Sequence, residues 1–154
     1  MDLELRLAVE HLHARYAHAL DSGKLEDWPG FFTESGRYRI TTAENEERGL
    51  PMPVLYAEGR AMMRDRIQSL RHANIYEPQR YRHMISCVLV EKSSAQMATS
   101  VANFLVLRIM QDGDTTLFAS GRYLDRIALG AMQYEERVVI CDSRRFDTLL
   151  AIPL

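Results

Sequence analysis

The first strong pattern along the chain is helical. Leu5, Val9, Leu12, Tyr16 and Leu20 recur at spacings of four, three, four and four, which lines one face of a helix over residues 3–21. Gly23 supplies a stop for it. The aromatic stretch Leu25-Glu26-Asp27-Trp28-Pro29-Gly30-Phe31-Phe32 is broken by Pro29 and predicts one helical turn or a tight lid. Arg37 to Thr41 alternates around Tyr38 and Ile40 as a short strand. Residues 42–53, with Gly49, Pro51 and Pro53, read as a polar loop. A second helix is expected over about 56–73, with Met63, Ile67 and Leu70 on its buried side and Arg60, Arg64 and Arg71 outside.

From residue 81 the period falls to two. Tyr81, His83, Ile85, Cys87 and Leu89 share one strand face, and Val101, Asn103, Leu105, Leu107 and Ile109 line the next strand. Asp112-Gly113-Asp114 makes the hairpin turn. Strands over about 116–128 and 132–142, joined through Leu129-Gly130-Ala131, complete a meander. Helices first and then a run of antiparallel strands is the α+β order. A cone-shaped, curved antiparallel sheet wrapped around the N-terminal helices fits it. No repeat or low-complexity linker divides the 154 residues, so residues 1–154 are expected to form a single domain.

Composition narrows the function classes. Hydrophobic residues make up 47% and charged residues 26%, the balance of a soluble globular chain. Lys plus Arg is 19 against 21 for Asp plus Glu, a net charge of -2, which argues against a nucleic-acid partner. No apolar run approaches the roughly 20 residues that span a bilayer, so no membrane partner is expected. The acidic opening Met1-Asp2-Leu3-Glu4 does not resemble a signal peptide. Cys87 and Cys141 lie too far apart for a CxxC pair or a disulfide scaffold. Together these features predict a cytoplasmic protein.

Two features point to a partner. The basic residues are 17 Arg and only 2 Lys, and residues 60–83 hold six Arg against Asp65 and Glu77. A solvated helix face or a protein interface both account for that run. The ending Leu149-Leu150-Ala151-Ile152-Pro153-Leu154 is almost wholly apolar and should be buried on its own domain or on a neighbour.

Candidate chemistry is sparse. His11 and His13 point about 200° apart on a helix and cannot share an ion, while His11 and His18 lie on its polar face. His72 stands alone. His83 falls on an inward strand face beside Tyr81 and Ile85. The paired Cys and His ligands of a Rieske centre are absent, and no two-His, one-carboxylate cluster is visible. Tyr16 points inward, Asp21 ends the first helix and Asp142 ends the last strand. A Tyr donor and an Asp base inside an apolar cone would enolise a ketone, although core filling and turn holding explain the same residues. No GxSxG, P-loop or GxGxxG occurs.

An ordered series of segments resembles a known family. It begins with Tyr16-Ala17, Leu20-Asp21, Trp28-Pro29-x-Phe31-Phe32 and Tyr38-Arg39. It continues through Met63-x-Asp65-Arg66-Ile67, Ala73-Asn74-Ile75-Tyr76-Glu77, Arg80-Tyr81-Arg82-His83, Cys141-Asp142-Ser143 and Asp147-Thr148-Leu149 to Pro153-Leu154. Over nearly the whole chain this resembles the small (beta) subunits of aromatic-ring-hydroxylating dioxygenases, nearest to the terephthalate branch, with salicylate-hydroxylating relatives close by. The resemblance implies a nuclear-transport-factor-2-like cone and a mainly structural subunit without catalytic, cofactor-binding or metal residues of its own. It implies a large (alpha) partner subunit carrying the Rieske [2Fe-2S] cluster and the mononuclear iron. It also implies self-association as a trimer within a three-plus-three hexamer, and an aromatic, carboxylated substrate. The rival expectation on the same fold is a stand-alone isomerase or dehydratase using Tyr16, Asp21 and His83 inside the cone.

Overall fold

The computed structural model of the chain describes residues 1–50, 53–73, 78–143 and 152–154. Helix α1 spans Leu3–Asp21. The Asp2 side chain accepts from the Leu5 backbone amide at 2.9 Å and so caps its first turn. Its end is set by Gly23 at φ +74°, where the amides of Gly23 and Lys24 donate back to the carbonyls of Leu20 and Ala19. Val9, Leu12, Tyr16 and Leu20 are buried, as their spacing predicts, and Leu5 is half-buried. A 3-10 helix follows at Leu25–Phe31 with Trp28 fully enclosed, in place of the expected single turn or lid.

Strand β1 runs Phe32–Thr42 and begins five residues before the expected Arg37. The polar stretch after it is not all loop. Thr42 caps a short helix α2 at Ala43–Glu47 by accepting from the Asn45 amide at 3.2 Å. Strand β2 occupies Leu55–Glu58, so helix α3 starts only at Gly59 and runs to Ala73. Met63 and Ile67 are buried on it and Leu70 is half-buried. The long strands are β3 (Gln79–Lys92), β4 (Met97–Met110), β5 (Thr115–Ala128) and β6 (Gln133–Cys141).

The six strands make one curved sheet in the order β2-β1-β6-β5-β4-β3. β3 to β6 form the antiparallel meander, but β1 lies parallel to β6, so the sheet is mixed rather than wholly antiparallel. The curvature has local causes. Extra residues enter β3 between Ser86 and Leu89, β5 opposite Val106 and Leu107, and β6 opposite Arg126 and Ile127. Gly121 allows β5 and β6 to close up, since a Cβ there would lie 1.9 Å from the Ile140 carbonyl oxygen.

The β3 bulge corrects one face of the sequence reading. Cys87 sits at φ +55° and breaks the alternation. Tyr81 and His83 face inward as expected, but beyond the bulge Val88 takes the inward position, leaving Cys87 exposed and Leu89 73% exposed. On β4 the inward face belongs to Ala98, Ser100, Ala102, Phe104, Val106 and Arg108. Val101, Asn103, Leu105, Leu107 and Ile109 therefore share the outer face. That strand is apolar on both sides, and periodicity cannot rank two apolar faces.

Candidate functional site

A polar row crosses the inner face of the sheet. Ser100, Asp125 and Arg137 are direct cross-strand neighbours on β4, β5 and β6, and Tyr38 of β1 follows Arg137. Arg137 is wholly buried, and its guanidinium bonds Asp125 through two contacts of 2.8 and 2.9 Å. The cation lies 3.8 Å from the Tyr123 ring centroid, 4.1 Å from Tyr134 and 4.4 Å from Tyr16. Three aromatic faces and a carboxylate thus replace the water that a guanidinium loses on burial. Burial raises the Asp125 carboxyl, the facing Arg137 opposes that shift, and the bidentate geometry is that of an ion pair.

His13 of α1 completes this cluster. Its Nδ1 accepts from the Tyr134 hydroxyl at 2.7 Å and from an Arg137 N–H at 3.0 Å. Nε2 is then the protonated nitrogen and faces Ser100 Oγ at 3.2 Å. Burial and the adjacent Arg137 lower its pKa to about 2, so the ring stays neutral. The sequence reading missed His13, Asp125 and Arg137. The signal was present: His13 falls on the stripe of Val9, Tyr16 and Leu20, and Arg137 shares the alternation of Val139 and Cys141.

Tyr16 does point into the cone, but its hydroxyl is fully engaged. It donates to the Leu154 carbonyl at 2.7 Å and accepts from Trp28 Nε1 at 3.2 Å. The Tyr38 hydroxyl also donates to the Leu154 carbonyl, at 3.1 Å, and accepts from the Leu154 amide at 3.0 Å. Burial pushes both phenols above their ordinary range. Ile152, Pro153 and Leu154 are buried in their own domain, with Leu154 at 0% exposure. Residues 149–151 of the apolar tail lie outside the described residues.

Asp21 and His83 form a separate pair. Asp21 accepts from His83 Nδ1 at 2.7 Å and from the His83 backbone amide at 2.9 and 3.1 Å. Tyr16 and Asp21 are five residues apart on α1, which turns them about 140° from each other. The helix therefore sends Tyr16 to the tail and Asp21 to β3. Asp142 is exposed and accepts from the Ser120 hydroxyl at 3.0 Å. His11, His18 and His72 are exposed.

Among the described residues the donor set does not suit a Rieske cluster or a mononuclear iron. The cysteines sit on β3 and β6, with β4 and β5 between them, and burial pushes the Cys141 thiol up to about 12, against thiolate ligation. Among the described residues no three His, Cys, Asp or Glu gather to hold an ion. Among them too, no helix is long and apolar enough to cross a membrane.

The cone and the sequence agree on a lineage. The SnoaL-like domain family matches residues 1–133, and the chain belongs to it. A beta subunit of the terminal oxygenase component of terephthalate 1,2-dioxygenase from Comamonas sp is 42% identical over 153 residues, covering 98% of each chain. The small subunit of anthranilate 1,2-dioxygenase from Burkholderia cepacia is 35% identical, covering 99% of this chain and 96% of that one. A solved beta subunit of an aromatic-ring-hydroxylating dioxygenase from Novosphingobium aromaticivorans superposes with a TM-score of 0.89 at 31% identity, covering 97% of both chains. Within the SnoaL-like fold, the chain belongs to the small subunits of aromatic-ring-hydroxylating dioxygenases. The sequence resemblance and the fold class both stand.

Proposed function

We propose that this chain is the non-catalytic, mainly structural subunit of a cytoplasmic Rieske non-haem iron dioxygenase acting on an aromatic ring that carries a carboxylate. The ring class follows the terephthalate and anthranilate relatives. The large subunit holds the cluster and the iron, and three copies of each subunit make the hexamer. One observation supports the structural role: among the described residues, the buried Tyr16 hydroxyl and the Arg137 guanidinium are engaged by the chain's own groups. Leu154 and Trp28 take up the hydroxyl of Tyr16, Leu154 takes up that of Tyr38, and Arg137 is enclosed by three rings and Asp125. The apolar tail supports the trimer less than its sequence suggests, because Ile152 and Leu154 are covered within the domain. Exposed Met84, Leu89 and Leu117 on the outer sheet face leave apolar surface of the kind a partner covers.

The test is co-expression with a large subunit encoded beside it, followed by sizing, iron analysis and assay. The expected result is a mixed hexamer whose iron and Rieske absorption stay with the large subunit, and a small subunit that alone carries neither. Stoichiometric iron in the isolated small subunit, or a large subunit indifferent to its presence, overturns the reading.

A further inference from the structure

The outer face of the sheet presents apolar side chains at the β3 end. Leu89, Val101 and Leu124 are direct cross-strand neighbours there on β3, β4 and β5, and Leu107 pairs with Leu117. Met84 and Leu117 are 60% and 58% exposed. Apolar surface grouped in this way marks an interaction site. Three arginines stand on the same face: Arg82 opposite Leu107, Arg122 opposite Asn103 and Arg126 opposite Thr99. All three are exposed, and their side chains make no ion pair or hydrogen bond among the described residues.

A second apolar group lies at the opposite edge of the sheet, which ends in β3 on one side and β2 on the other. Leu50, Val54, Tyr56 and Met62 are exposed around β2. The charge here has the other sign. Arg37, Arg39 and Arg48 are engaged by Glu136, Glu46 and Glu44. Glu47 and Glu58 are exposed and make no ion pair among the described residues, so they set the sign.

One chain thus offers an apolar face with free arginines and an apolar patch with free carboxylates. Unlike surfaces of one chain join head to tail, and such joining closes into a ring when the rotation allows. Opposite charge around the apolar contact fixes the partner and the register. We propose that the outer face of β3, β4 and β5 docks on the β2 edge of a second copy of this chain, its Arg82, Arg122 and Arg126 facing Glu47 and Glu58 of that copy. The inference rests on the trimer of the functional reading above and names the two surfaces that meet in it. A face-to-face dimer, or a large subunit covering the outer face, would leave the β2 patch unused.

The test is sedimentation of the full chain alone, with circular dichroism as the control for folding. The expected wild-type species is a trimer. Leu117→Asp should give a folded monomer. Reversing one surface with Arg122→Glu and Arg126→Glu should weaken self-association at least about tenfold, and Glu47→Arg with Glu58→Arg should do the same. The chain carrying all four changes should regain most of the affinity, because the facing signs are again opposite. A monomeric wild-type chain, a trimeric Leu117→Asp chain, indifference to Glu47→Arg with Glu58→Arg, or no recovery in the fourfold variant each overturns the proposal. The subunit role is read separately, from the iron and activity of the co-expressed complex. A chain that fails here and still sustains the large subunit therefore overturns the docking alone.

Discussion

Arg137 and Asp125 face each other directly across β6 and β5 and form a bidentate ion pair from which water is excluded. The pair sits under Tyr16, Tyr123 and Tyr134, so it joins helix α1 to the centre of the sheet. A buried ion pair is often no more stabilising than an apolar replacement of the same shape. Losing one member is another matter, because the survivor keeps its charge without a counter-ion.

Arg137→Met should therefore destabilise the fold by about 3–5 kcal/mol. Asp125→Leu made together with Arg137→Met should recover a large part of that loss. Urea denaturation of the single and double variants checks this. A double variant as unstable as the sum of the singles would show that the two residues act separately.

His13 makes stability depend on pH. Its folded pKa of about 2 lies below the ordinary 6.5, so only the unfolded chain takes up this proton in the window between them. The contribution is fully present above about pH 6.5 and is lost as the pH falls toward about 2. From pH 7 to pH 5 the loss from this group is about 2 kcal/mol, at a limiting slope of about 1.4 kcal/mol per pH unit. Unfolding free energies across that range should show the slope. His13→Gln should flatten it by that amount while lowering stability at pH 7.

Removal of Ile152, Pro153 and Leu154 should lower the melting temperature. Burying an Ile or Leu side chain is worth about 1.5–3 kcal/mol, and the cut also leaves the Tyr16 and Tyr38 hydroxyls without their carbonyl. Tyr16→Phe in the intact chain should reproduce only the smaller, polar part of the loss, about 1–3 kcal/mol. An unchanged melting curve on truncation would mean that the tail contributes nothing to the core.

Asp21→Asn and His83→Gln should weaken the domain by about 1–3 kcal/mol through the buried pair they disturb. Aromatic hydroxylation by complexes that still assemble should persist. Co-expression with the large subunit, followed by sizing and assay, separates the outcomes. A fully assembled, iron-loaded complex whose turnover falls on the order of 10²–10⁴ would identify a general base in this subunit and end the structural reading.

The sequence by itself determined the elements whose signal is local. Helix α1 carries its own stripe, cap and Gly23 stop, and the turn at Asp112-Gly113-Asp114 with the four-strand meander follows from alternation and turn chemistry. The family resemblance was also legible, because it lies in an ordered series of residues rather than in a site. Tertiary structure decided what local periodicity leaves open. Alternation says which residues share a face, but burial chose the Ala102, Phe104 and Val106 face of β4 over its equally apolar reverse. The extra residue at the β3 bulge inverted Leu89, which no count of twos foresees. β1 pairs in parallel with β6 across some 90 intervening residues, and only that closure brings Tyr38 beside Arg137. The buried charges followed from the same step. Arg137 and Asp125 read as surface residues one at a time, and only the assembled sheet supplies the counter-ion and rings that make their burial tolerable.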